Sequence, residues 1–148
     1  GQSVLDDKLN SLGPDLLTEN ISLFEFQKRM TKNKTLTELL MNQKIFSGCG
    51  NYLKSEALYQ AKLSPWRLGS SLSKDEHQNL LLALTEIIKN SYKLRGATIK
   101  NYASLQGPGS YSQHFQVYKK QKDPLGNLII QEETLDKRTT HWVKEIQK

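Results

Sequence analysis

Four aliphatic residues near the end of the chain stand at the spacing of a metal site. Leu125 and Leu128 are separated by two residues, Val143 and Ile146 likewise, and fourteen residues lie between the pairs. Cysteines in that frame would hold zinc as a tetrahedral set of four thiolates. Aliphatic side chains offer no lone pair and can only pack. The second stretch with chemistry in it is Ser47-Gly48-Cys49-Gly50-Asn51. Its two glycines leave the backbone free for positive φ and close approach. A helix beginning at Asn51 points its N–H groups and the positive end of its dipole out of that corner, which suits a phosphate held at the Gly50 backbone. Asn51 is placed to cap the helix, to contact phosphate, or to do both. Lys54, one turn on, can add charge or be an ordinary surface lysine. An ordinary helical corner would use the same residue types. Cys49 reads as a small buried apolar residue. His77 and His114 have no ligand spacing to each other or to Cys49, and His141 has no Asp or Ser partner in sequence. No metal and no cofactor are expected.

The elements that must position these groups are mostly helical. Ser22 with Glu25, Thr35 with Glu38 and Ser73 with Glu76 are S/T-x-x-E boxes, each able to satisfy orphan N–H groups at a helix start. The run "LTELLMNQKIF" predicts a helix stopping near Ser47-Gly48, and "NYLKSEALYQAKL" a second one ending before Ser64-Pro65. A long helix fits residues 74–94, with Leu80, Leu81, Leu84, Ile87, Ile88 and Tyr92 as its buried stripe. From Arg95 the composition changes to a long loop carrying Gly96, Gly107, Pro108 and Gly109, a length usually kept for function. "HFQVY" reads as a strand, "KKQKDPLGN" as a turn, and "LIIQEETL" with "THWVKEI" as a hairpin. The fold class expected is mainly α with a C-terminal β-hairpin.

Of 148 residues, 1–88 carry ten Lys/Arg against ten Asp/Glu, while 89–148 carry eleven against five. All of the +6 net charge therefore lies in the last sixty residues, which suggests a polyanionic partner. A membrane surface fits poorly, because the basic region holds no strongly amphipathic helix, and no apolar run is long enough to span a bilayer. A single cysteine excludes an internal disulfide and fits a reducing intracellular compartment, nucleus or cytoplasm according to the host. The opening "GQSV" lacks an initiator Met, so a piece of a longer protein is expected.

"NQKIFSGCGNYLKSEALYQAKLSPWR" resembles the helix–two-turn–helix element of the formamidopyrimidine-DNA glycosylase / endonuclease VIII family. The likeness extends through "LGPDLL" at 12–17, "RGATIKNY" at 95–102, "GPGSYSQHFQVY" at 107–118 and "KRTTHWVKEIQ" at 137–147. It implies a linker at 1–11, a helix–two-turn–helix DNA-binding domain at 12–112, and a finger hairpin at 113–148. In that family the hairpin usually hangs on a zinc held by four cysteines, and its tip presents an arginine to DNA. Arg138 stands where that arginine would fall. Leu125, Leu128, Val143 and Ile146 then replace all four ligands, as in the zincless finger of some members, and are expected to hold the hairpin by clustering. The resemblance further implies that Gly50, Asn51, Lys54 and Arg138 contact phosphates beside a flipped damaged nucleotide. A loop including Gly96, Thr98, Lys100, Tyr102 and Tyr111 would cap the lesion.

The family's enzymes remove oxidised bases with an N-terminal proline that attacks the sugar C1′, followed by strand cleavage at the abasic site. A neighbouring glutamate moves protons. "GQSV" does not match that Pro-Glu start, so this chain is expected to carry the DNA grip without the nucleophile, Arg138 supporting catalysis held in a β-sandwich domain it would pack against. The alternative is a stand-alone helix–two-turn–helix module that binds nucleic acid with no glycosylase activity. A further alternative is weak Schiff-base chemistry by the chain's own amines.

Overall fold

The computed structural model describes residues 12–97 and 115–148, with backbone only over 93–97. The elements are α1 (Leu23–Met30), α2 (Leu36–Met41), α3 (Asn51–Gln60), a 3-10 turn (Gly69–Ser71), α4 (Lys74–Ala97), β1 (Ile130–Glu133) and β2 (Thr139–Trp142). A helical body with an antiparallel two-stranded hairpin is the architecture expected. Residues 1–11, and Thr98, Lys100, Tyr102 and Tyr111 of the anticipated capping loop, lie outside the described residues. Gly96 belongs to the last turn of α4 and not to a loop. Among the described residues no helix is long and apolar enough to cross a membrane.

The helix starts follow their boxes. The Thr35 hydroxyl accepts the Glu38 N–H while the Glu38 carboxylate accepts the Thr35 N–H, a reciprocal cap for α2. Ser73 and Glu76 do the same before α4. At α1 only half the box forms: Ser22 accepts the Glu25 N–H, but the Glu25 carboxylate turns to Arg29 at 2.8 Å. The helix predicted through Phe46 stops at Met41. The Asn42 side chain accepts the Lys44 N–H at 2.9 Å, and this local bond competes with the next helical turn. Helix α3 ends in a Schellman pair, Leu63 N–H on Leu58 O and Lys62 N–H on Tyr59 O, with Lys62 at φ 61°.

Phe26 and Met30 of α1, Leu36, Leu39 and Leu40 of α2, Leu53, Ala57 and Leu58 of α3, and Leu80, Leu84 and Ile88 of α4 form one core around Phe46. Each large side chain contributes about 1.5–3 kcal/mol by leaving water. The Phe26 and Phe46 rings stack at 5.3 Å, and buried His77 meets Phe26 edge-on. Tyr92, expected in the α4 stripe, is 42% exposed, so the stripe closes one turn earlier, at Ile88. In the hairpin, Ile130 faces Trp142 and Glu133 faces Thr139. The segment expected as a strand, 114–118, is described from Phe115 and is bend and turn there, for a reason that lies in α3.

Candidate nucleic-acid interface

The corner between α2 and α3 is fixed from below by the segment that opens the described chain. Ser47 N–H donates to Pro14 O at 3.0 Å, Leu16 N–H to Ser47 O at 2.9 Å, and Gly13 N–H to Gln43 O at 2.9 Å. A side chain at Gly13 would lie 2.2 Å from Ile45 O, so only glycine permits this approach. Gly48 sits at φ 87°, and its missing Cβ would fall 2.5 Å from the Asp15 carboxylate. Gly13, Pro14, Asp15 and Leu16 of the "LGPDLL" motif thus all meet the glycine corner.

Gly50, exposed, is the N-cap of α3, and no side chain caps that helix. Open space surrounds the position of its missing Cβ. The first-turn N–H groups therefore face outward with the positive end of the helix dipole. Asn51 is the first helical residue, not the cap. Its Nδ2 donates to Thr139 O on β2 at 2.9 Å, which bolts the start of the helix to the hairpin. Oδ1 is buried without a partner among the described residues. The reversed amide would set two oxygens against each other, so this orientation is the better of the two.

Lys54 does not reach the surface. Its Nζ donates to Asp136 Oδ2 at 2.7 Å, with the two side chains 0% and 2% exposed. Burial pulls the ammonium below its usual pKa, and the Asp136 hydrogen bond opposes that. The role in phosphate contact expected for Lys54 is thereby corrected: its charge is consumed internally, because the hairpin tip folds directly over this turn of α3. Burial likewise pushes the Cys49 thiol up to about 12, so it is an inert thiol beside the pair.

Along the same helix every polar side chain facing the C-terminal segment is used. Ser55 Oγ accepts His141 N–H at 3.2 Å. The Glu56 carboxylate, on a residue 5% exposed, accepts three backbone N–H groups, from Gln116 at 2.7 Å, Val117 at 2.9 Å and Tyr118 at 2.8 Å. Those N–H groups are spent on a carboxylate and not on a neighbouring strand, which is why 115–118 does not extend as β. Tyr59 Oη donates to Asp123 Oδ2 at 2.9 Å. Buried His141 stacks edge-on with Tyr118 at 5.2 Å, and burial lowers its pKa, assisted by Lys54 and Lys119.

The aliphatic zinc frame is not a cluster. Val143 is fully buried and Ile146 partly so, but Leu125 and Leu128 are 75% and 69% exposed. The expectation that the four hold the hairpin together by burial is overturned. Asp123 organises that turn instead, accepting from Leu125 N–H at 3.0 Å, Asn127 N–H at 2.7 Å and Asn127 Nδ2 at 3.0 Å, so the leucines project outward. Val143 is held by its own backbone, its N–H donating to Gln147 Oε1 at 2.7 Å while Gln147 Nε2 reaches Leu63 O at 2.9 Å. Among the described residues no group of three His, Cys, Asp or Glu could hold a metal.

Arg138, exposed, stands at the end of the turn between the strands, with Lys137 beside it at φ 65°. Asp136 is neutralised by Lys54, so Lys137 and Arg138 are the charges this tip turns to solvent. Asn51 and Arg138, eighty-seven positions apart in sequence, come together because Thr139, the next residue, accepts the Asn51 amide. Gly50 lies on the same edge, as the cap of α3. Lys54 lies beneath it, and Gly96 is in α4. The residues that sequence reasoning missed are Ser55, Glu56, Tyr59, Asp123 and Asp136. For Ser55 and Glu56 the signal was that "LKSEAL" puts three polar residues in succession into a helix with apolar neighbours on both sides, while Tyr59, Asp123 and Asp136 left none.

Residues 12–103 match the formamidopyrimidine-DNA glycosylase H2TH domain, and residues 111–148 match that glycosylase's C-terminal domain. Among curated proteins, a formamidopyrimidine-DNA glycosylase of Prochlorococcus marinus is 30% identical over 95% of this chain and 49% of its own length. One from Vibrio vulnificus is 31% identical over 92% of this chain and 52% of its own. The Lactococcus lactis Fpg solved in complex with abasic-site DNA superposes with a TM-score of 0.80 at 26% identity, covering 99% of this chain and 55% of that one. A viral DNA glycosylase superposes at 0.74 with 25% identity, covering 99% and 54%. The chain spans about half the length of the curated relatives it matches. With two consecutive domains of one glycosylase accounting for nearly all of its residues, the chain belongs to the formamidopyrimidine-DNA glycosylase family.

Proposed function

We propose that this chain is the DNA-gripping part of a base-excision repair glycosylase and AP lyase, and that it clamps the phosphates around a flipped, oxidised nucleotide. The observation that carries the reading is the Asn51–Thr139 hydrogen bond. It sets the uncapped start of α3 beside the hairpin tip that bears Arg138, so two anion-binding elements share one edge. Helix N–H groups and the Gly50 backbone take one phosphate, with the second N–H of the Asn51 amide beside them. The Arg138 guanidinium, planar and permanently charged, bridges two oxygens of another. Extruding a base costs a few kcal/mol, and a clamp on the bent backbone offsets part of it. The Lactococcus lactis relative was solved with abasic-site DNA and with Fapy-dG DNA, and damaged DNA is the ligand this edge fits.

Base removal itself belongs to the half of such enzymes not represented here. That half would pack against the groove between residues 16–21 and α4, where Leu82 and Tyr92 are 51% and 42% exposed. Of the residues expected to cap the lesion, Thr98, Lys100, Tyr102 and Tyr111 keep that proposed role. No metal has a part in this reading, since the finger frame holds aliphatic residues.

Fluorescence anisotropy on duplexes with and without an abasic-site analogue, across a salt series, tests the grip. Arg138→Ala and Asn51→Ala are each expected to weaken binding, with Arg138→Ala flattening the salt slope by about one. Binding indifferent to both substitutions in folded protein would refute it.

A further inference from the structure

Half of the hairpin's aliphatic frame points to solvent, yet its tip is tied by buried polar contacts. That tip is organised around a single carboxylate. Asp136 Oδ2 takes Lys54 Nζ from α3 at 2.7 Å, and Asp136 Oδ1 takes the Thr134 hydroxyl. The Thr134 and Thr140 hydroxyls are bonded at 2.7 Å, and Thr134 N–H donates to Arg138 O at 3.1 Å. The ion pair thus leads by three hydrogen bonds from the helix, through the turn, to the backbone of Arg138. The side chains of Lys54 and Asp136 are nearly or wholly removed from solvent, and Thr134 and Thr140 are buried residues.

Resting on the DNA grip described above, we infer that Lys54 and Asp136 are positioning residues for Arg138. A buried ion pair contributes little net stability compared with an apolar pair of similar volume. What it supplies is selectivity among conformations. Any slip of the turn by one residue withdraws Asp136 and strands two charges in the interior, so every competing arrangement of the tip is penalised. The pair joins the two elements of the grip, because Lys54 lies one turn inside the helix whose start takes one phosphate, and Asp136 lies two residues before the arginine that takes the other. It does internally what a bound metal does elsewhere, fixing a hairpin by one directional polar centre.

The test is a double-mutant cycle in the full chain, read by anisotropy on an abasic-analogue duplex. Arg138→Ala is expected to cost roughly five- to tenfold in affinity, about what one phosphate contact is worth over a tenfold salt range. Lys54→Met with Asp136→Leu removes both charges together and leaves neither stranded. It is expected to lose most of the same factor and to flatten the salt slope as Arg138→Ala does. On the Arg138→Ala background it should change affinity less than about twofold. Should the double replacement not fold, by circular dichroism, Lys54→Gln with Asp136→Asn carries the same cycle, since it removes both charges together and keeps a hydrogen-bonding pair of similar shape. Full affinity in a folded variant, or losses that multiply with Arg138→Ala, would overturn the positioning role while leaving the grip intact. Unchanged binding by Arg138→Ala alone would instead refute the grip, and the positioning role with it.

Discussion

A carboxylate as buried as that of Glu56 is tolerated only because three backbone N–H groups converge on it. The arrangement resembles a helix cap turned outward: one charge on α3 gathers the turn at Gln116–Tyr118 and fixes its path. Hydrogen bonds to charged acceptors are worth about 1.5–3 kcal/mol each in net terms, with strong overlap when one group accepts several. Glu56→Gln replaces one accepting oxygen with a donor that faces N–H groups. It is expected to destabilise the chain by about 2–4 kcal/mol in urea unfolding, and Glu56→Asp by less. Equal stability of the Gln variant would show that the three bonds carry no net weight. Lys54 teaches the complementary lesson. Its type and place suggested a phosphate contact, but only a three-dimensional fact decides the matter, namely that Asp136 lies over it.

At the scale of elements, the turn at 123–127 is a polar knot built on Asp123. Burial alone would raise the Asp123 pKa. Bonds from the side chain and backbone of Asn127, from Tyr59 and from Leu125 outweigh it and hold the carboxyl below its ordinary 3.8. A depressed carboxyl pKa contributes stability that is complete above the unfolded value and is lost as pH falls through the folded one. The turn is therefore expected to loosen below about pH 4. Thermal midpoints from pH 3 to 7 should fall more steeply for the native chain than for Asp123→Asn, and parallel curves would exclude Asp123 as the source. The sequence made the helix starts legible, because Ser22, Thr35 and Ser73 act through bonds three residues long. The hairpin was legible too, from its alternation. The end of α2, the path of 115–118 and the exposure of Leu125 and Leu128 were not. Each is set by a polar side chain, Asn42, Glu56 or Asp123, whose choice among several backbone partners leaves no trace in hydrophobic spacing.

For the whole molecule, one helix does two jobs. Leu53, Ala57 and Leu58 of α3 complete the apolar body, while Asn51, Lys54, Ser55, Glu56 and Tyr59 bind the C-terminal segment by polar contacts. The hairpin is therefore no separate finger on a flexible stalk but an extension of the helix whose start is proposed to take a phosphate. The chain's last residues close the same unit, with Lys148 N–H on Lys62 O at 3.1 Å and Ser64 N–H on Lys148 O at 3.2 Å. Such a scaffold ties Asn51 to the residue next to Arg138 through its own polar contacts, which is what the proposed grip on two phosphates of one bent strand would require. It also explains why the charge excess of the last sixty residues can act locally: with Asp136 paired inside, the tip presents Lys137 and Arg138 outward.

The most direct measurement is a scan of single methylphosphonate substitutions through the strand carrying an abasic-site analogue, with binding read for the native chain, Arg138→Ala and Asn51→Ala. Neutralising two neighbouring phosphates beside the lesion should weaken the native protein. Each variant should be indifferent to one of the two and still sensitive to the other. If the native chain is equally sensitive at every phosphate, or if both variants keep the native pattern, Asn51 and Arg138 do not form a two-point grip.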